Sequence, residues 1–254
     1  MDYTITNGIL TARVSSRGAE LKSLTLGGVE YVWPGGAEWV WSAPVCCPWC
    51  GMLDEFEYGG RKYGGTRHGF VRETEHDLLG SSASSITFGF DVPSDDERWP
   101  WPFALTAEYT LDGAALTLEY VITNTGCEKM PLQFGFHPGF VAPKGSIIRS
   151  EKPDMPGNKD AMSIVPGTFD SGSIDIAAPE STWFRLERGD GHSLTVDTSK
   201  ASYVLLWGSQ GSTPFACIEP WLGYPANGSP FDRPGVSVLA PSEKLSFALN
   251  LKLA

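Results

Sequence analysis

Turn-forming pairs interrupt this chain at intervals too short for helices. Asn7-Gly8 separates Tyr3-Thr4-Ile5 from Ile9-Leu10-Thr11-Ala12-Arg13-Val14, and Gly27-Gly28 leads from the run 21–26 into Val29-Glu30-Tyr31-Val32-Trp33. Asn-Gly and Gly-Gly between alternating runs are hairpin signals, because only residues tolerant of positive φ close two-residue turns. The same reading predicts strands over 86–92, 103–111, 116–123, 183–186, 193–197, 203–207, 236–239 and 245–253. A hairpin is expected over Phe56-Glu57-Tyr58-Gly59-Gly60-Arg61-Lys62-Tyr63. The 29 glycines and 19 prolines follow no period, as suits many short strands joined by tight turns. No segment carries a convincing 3.6-residue periodicity, and there is neither an internal repeat nor a linker. The expected architecture is all-β, a single antiparallel domain over residues 1–254, as monomer or homodimer.

Charge narrows the range of partners. The formal net charge of -11 argues against nucleic acid, which needs clustered Lys and Arg, and against an anionic membrane surface. No apolar run approaches the ~20 residues of a spanning helix, and the first residues, Met1-Asp2-Tyr3-Thr4-Ile5-Thr6, lack a basic region and apolar core. Five cysteines, an odd number, suit reduced thiols, so a cytoplasmic location is expected. Cys46, Cys47 and Cys50 lie close together, but no second Cys or His pair follows at zinc-site spacing. They are expected to be buried thiols, with Cys127 and Cys217 as packing residues too.

Four positions stand out chemically. In Phe134-Gly135-Phe136-His137-Pro138-Gly139-Phe140, Pro138 removes a ladder donor, so His137 can face a cavity where the sheet stops. A lone histidine is as a rule structural; its company raises the odds of a functional one. His68 and Arg72 share Arg67-His68-Gly69-Phe70-Val71-Arg72, where the glycine lets the backbone approach closely. Glu219 sits in the apolar run Phe215-Ala216-Cys217-Ile218-Glu219-Pro220-Trp221, and a buried carboxylate is costly unless paired or functional. His76 among acidic residues reads as solvated, His192 as an exposed turn residue, and Asp95-Asp96-Glu97 as a solvated loop. Residues 141–180 read as long surface loops or a lid. Trp39, Trp41 and Trp49 suit either packing or the apolar face of a sugar. There is no phosphate loop, no dinucleotide fingerprint and no nucleophile elbow. Together His68, Arg72, His137 and Glu219 point to proton transfer.

At these residues the sequence resembles the aldose 1-epimerase (galactose mutarotase-like) family, in its shorter branch that includes hexose-6-phosphate epimerases. The likeness runs through Gly18-Ala19-Glu20-Leu21-Lys22-Ser23-Leu24, Trp41-Ser42-Ala43-Pro44-Val45 with Cys47-Pro48, and the His68, His137 and Glu219 motifs. It implies a large antiparallel β-sandwich with an open sugar site, and interconversion of hexose anomers without metal or redox cofactor. On matching positions Glu219 is the base and His137 the acid, with His68, Arg72 and Trp221 binding the sugar. An apolar strand around Glu219 should raise its pKa. The substrate is a small sugar, a free hexose or a hexose phosphate. One departure is Gly51-Met52, where many relatives carry an arginine; Arg61 or Arg67 is left to substitute. A non-catalytic sugar-binding protein on the same fold is the competing expectation, and a polysaccharide-processing enzyme a more distant one.

Overall fold

The computed structural model describes residues 1–211 and 214–254. Among them there is no α-helix, only two single turns of 3-10 helix at Val71–Glu73 and Pro230–Asp232. Nine strands form the largest sheet, in the order Ala161–Ser163, Ile147–Ser150, Trp183–Glu187, Ser193–Asp197, Lys244–Leu253, Ala115–Asn124, Phe103–Asp112, Ser85–Val92, Asp77–Ser81. The last strand of the chain therefore lies at its centre, between strands from the two halves of the sequence. The longest hairpin shows why these residues form strands. Along Phe103–Asp112 the inward positions Phe103, Leu105, Ala107, Tyr109 and Leu111 are buried while Glu108, Thr110 and Asp112 are exposed. That is the period of two expected when one face meets a core.

A six-stranded sheet covers that core. Ile174–Ala177, Tyr203–Trp207 and Phe215–Trp221 run antiparallel, followed by Gly135–Phe136 and Val45–Cys46, with Gly139–Val141 also on Phe215–Trp221. Tyr120 and Phe247 of the large sheet meet Phe134 and Phe136 beside the smaller one, at ring separations of 5.1 and 5.3 Å. The result is the expected antiparallel sandwich, flanked by a four-stranded N-terminal sheet.

The strand Phe215–Trp221 is buried at every position. Ala216 and Ile218 point into the main core. Glu219 and Trp221 alternate with them and line a cavity on the opposite face. Residues 141–180 depart from the loop expectation, since they contain strands Ile147–Ser150, Ala161–Ser163 and Ile174–Ala177. Each has only three or four residues, too few for a periodic pattern to show against Pro and Gly.

Candidate active site

His137 and Pro138 occupy the gap between Gly135–Phe136 and Gly139–Val141, both of which pair with the strand carrying Glu219. Proline ends one ladder segment and the chain rejoins two residues later, so His137 is held over the sheet instead of in it. Its backbone N–H donates to Pro44 O at 2.9 Å. The imidazole stacks on Trp39, with ring centroids 5.0 Å apart and planes at 28°. Its Nε2 lies 3.4 Å from Glu219 Oε2. That contact is too poorly aligned for a hydrogen bond, and both Glu219 Oε2 and His137 Nδ1 are buried without a partner. Unpaired buried polar atoms of this kind are costly in a fold.

His68 reaches the same spot from another segment. It takes φ of +65° and is followed by Gly69 at +68°, a pair of left-handed residues that turns the chain sharply. A Cβ on Gly69 would stand 1.9 Å from Cys47 O, so only glycine lets this segment pass. The Gly51 N–H donates to His68 Nδ1 at 3.0 Å. Nδ1 is thereby an acceptor, and the ring proton is fixed on Nε2 as a donor. The ring lies edge-on to His137 and to Trp221, at 5.5 and 5.6 Å.

Arg72, in the short 3-10 turn, donates from Nη2 to Arg67 O at 2.9 Å and lies 5.0 Å over the Trp41 ring. Gly18 fits because its missing Cβ would sit 2.4 Å from Arg72 O. Glu20 accepts from the N–H groups of Ser42 and Ala43 at 2.6 and 3.1 Å, which fixes the segment after Trp41. Trp221 lies over Gly135, where an added Cβ would be 2.4 Å from the indole, and donates from Nε1 to Phe136 O at 3.0 Å.

These groups line one cavity of about 600 Å³, within the range of small-molecule sites. Its walls are aromatic: Trp39, Trp41, Trp207, Trp221 and Tyr224. All five residues named from the sequence, His68, Arg72, His137, Glu219 and Trp221, line it. Sequence reasoning missed Asp175 and Tyr224, whose hydroxyl donates to Asp175 Oδ2. Asp175 pairs with Leu205, which pairs with Glu219, so the two carboxyls stand in one cross-strand row. Only the sheet order brings them together.

Burial sets the protonation of the floor. Desolvation raises the Glu219 carboxyl well above its usual range, with Cys46 and Asp175 adding to the effect. Desolvation, helped by Arg72, lowers His137 to about 3, and desolvation lowers His68 to about 2. Burial thus works against the charged form of both groups. Such a pair can take a proton from one oxygen and give one to its neighbour.

Three expectations are corrected. His76 is not solvated: it is 3 % exposed and stacks on Phe90 at 5.3 Å. Its acidic neighbours alternate away from it. Cys127 is exposed, unlike the other four cysteines, because it lies in the turn after Asn124. Arg61 does not line the cavity, whereas Arg67 does. At the Gly51-Met52 wall a different guanidinium intervenes. Arg233, 2 % exposed, donates to Cys50 O, Met52 O and Ala226 O at 2.5, 2.9 and 2.8 Å.

The fold and cavity define an open β-sandwich of the galactose mutarotase-like type, with the His137–Glu219 contact in an aromatic cleft. The profile of the aldose 1-epimerase family matches residues 1–161, and the chain belongs to that family. The plasmid-encoded LacX protein of Lactococcus lactis subsp. lactis is 27 % identical over 263 residues, covering 88 % of each chain. A galactose mutarotase-like protein from Lactobacillus casei ATCC 334 superposes with a TM-score of 0.92 at 26 % identity, covering 100 % of both chains. A galactose mutarotase related enzyme from Lactobacillus acidophilus gives 0.92 at 23 % identity, over 100 % of this chain and 97 % of that one, and speaks for the fold alone.

Proposed function

We propose that this protein is an aldose 1-epimerase that interconverts the α and β anomers of a hexose. The observation that carries the reading is the His137–Glu219 pair, 3.4 Å apart on the floor of an aromatic cavity, each with an unpartnered buried atom. Glu219 takes the proton of the C1 hydroxyl while His137 protonates the ring oxygen. The C1–O5 bond breaks, the open-chain aldehyde turns about C1–C2, and closure on the other face returns both protons. His68, fixed as an Nε2 donor, and Arg72 hold the sugar near the ring oxygen, and Trp221 packs against it. The reaction needs no net redox change, and positioned acid and base groups each supply about 10²–10⁴-fold.

Arg67 and Arg72, both lining the cavity, favour a second reading in which the sugar carries a phosphate. The experiment is anomer relaxation of freshly dissolved α-glucose, α-galactose and glucose 6-phosphate, followed by polarimetry. Wild type is expected to accelerate at least one of them, and Glu219→Gln to lose about 10²-fold or more of that rate. A Glu219→Gln protein with full activity would overturn the assignment. Sugar binding without acceleration would make the chain a carbohydrate-binding protein on this fold.

A further inference from the structure

Beneath the acid–base pair lies a third donor that the proton-transfer chemistry does not use. Cys217 stands two residues before Glu219 on the same strand, on the same face, and is fully buried. One nitrogen of His137, the Cys217 sulfur and one Glu219 oxygen all lie within 4.8 Å of one another. Glu219 Oε2 is buried and without a hydrogen-bond partner, and His137 Nε2 faces it at 3.4 Å. We infer that His137, Cys217 and Glu219 form a binding site for a borderline-soft divalent cation such as Zn²⁺.

The donor set selects the metal. Thiolate plus imidazole suits zinc-like ions, whereas Mg²⁺ and Ca²⁺ prefer oxygen ligands. Zinc bonds of about 2.0–2.3 Å in a tetrahedron put ligand atoms about 3.5 Å apart. The imidazole and carboxylate already stand 3.4 Å apart. The sulfur, within 4.8 Å of both, is the ligand that has to close in. Three protein ligands leave the fourth position open toward the cavity. On binding, the thiol releases its proton to solvent, as metal coordination by cysteine requires. The occupied site has no free base and no free acid, so the cation is an inhibitor. That consequence rests on the epimerase reading; the binding itself does not.

Co²⁺ reports on the site without any sugar. Titrating the full-length, metal-free protein is expected to give one equivalent of bound Co²⁺ with a thiolate-to-cobalt charge-transfer band and tetrahedral visible bands. Zn²⁺ should displace it and abolish anomer relaxation, with chelator restoring the rate. Cys217→Ala should lose the thiolate band and weaken Zn²⁺ by at least about tenfold, while Cys127→Ala changes neither. Glu219→Gln, close to isosteric and expected to fold, should keep the band and bind more weakly. Absence of the band in wild type, or its persistence in Cys217→Ala, overturns the site. Metal binding in a protein that accelerates no sugar would leave the site standing and overturn the epimerase reading instead.

Discussion

Single residues here carry costs that show what they are for. His76 is packed against Phe90, its Nε2 3.4 Å from Val71 O and its Nδ1 unpartnered. Burial lowers it to about 4, although Glu75 and Asp77 pull the other way. Because its folded pKa lies below the unfolded ~6.5, the unfolded chain binds the extra proton first. Stability from this residue is intact above pH 6.5 and is lost as pH falls toward 4, by up to about 3 kcal/mol. His76→Phe, which keeps the stacked ring, is expected to flatten the acid limb of stability by about one proton. Urea denaturation from pH 4.5 to 7.5 measures this, and an unchanged slope would show that His76 is solvated after all. Glu219, by contrast, is strained electrostatically where the proposed chemistry needs it.

At the level of strands, the site depends on where the sheet is made of small residues. Gly135 leaves the space that the Trp221 indole fills. Gly135→Ala should displace the ring, cost about 1–3 kcal/mol and weaken sugar binding several-fold. Gly80→Ala, with open space around its Cβ, serves as the control. Equilibrium unfolding and sugar titration read both effects; equal behaviour of the two variants would mean the indole is not held by Gly135. The same scale explains what the sequence could reveal. Phe103–Asp112 and Ala115–Asn124 were legible because each has one buried face and one wet one. Phe215–Trp221 lost that alternation because core lies on one side and the cavity on the other. What remained visible was a carboxylate out of place. His137 was betrayed by its proline and His68 by its glycine, both local signals. Asp175 and Tyr224 had none, since a three-strand row and a side-chain contact exist only in the folded sheet.

For the whole molecule, the decisive feature is the place of the last strand. Lys244–Leu253 pairs with Ala115–Asn124 on one side and Ser193–Asp197 on the other, and buries Phe247, Leu249, Leu251 and Leu253. The chain is therefore expected to unfold in one step, with near- and far-ultraviolet circular dichroism giving coincident transitions. Removing residues 244–254 should abolish that transition, whereas two separable transitions in the full chain would reveal independent units. The same placement bears on how the protein comes into being. A ribosome releases residues 77–124 and 147–197 long before the strand that joins them, so each partial sheet must wait with an unpaired edge. Contacts of such long sequence separation form slowly, and unpaired edges invite association with other chains. The two halves of the large sheet can join only once residues 244–253 are available, so the partial sheets are most exposed to association with other chains before that strand docks.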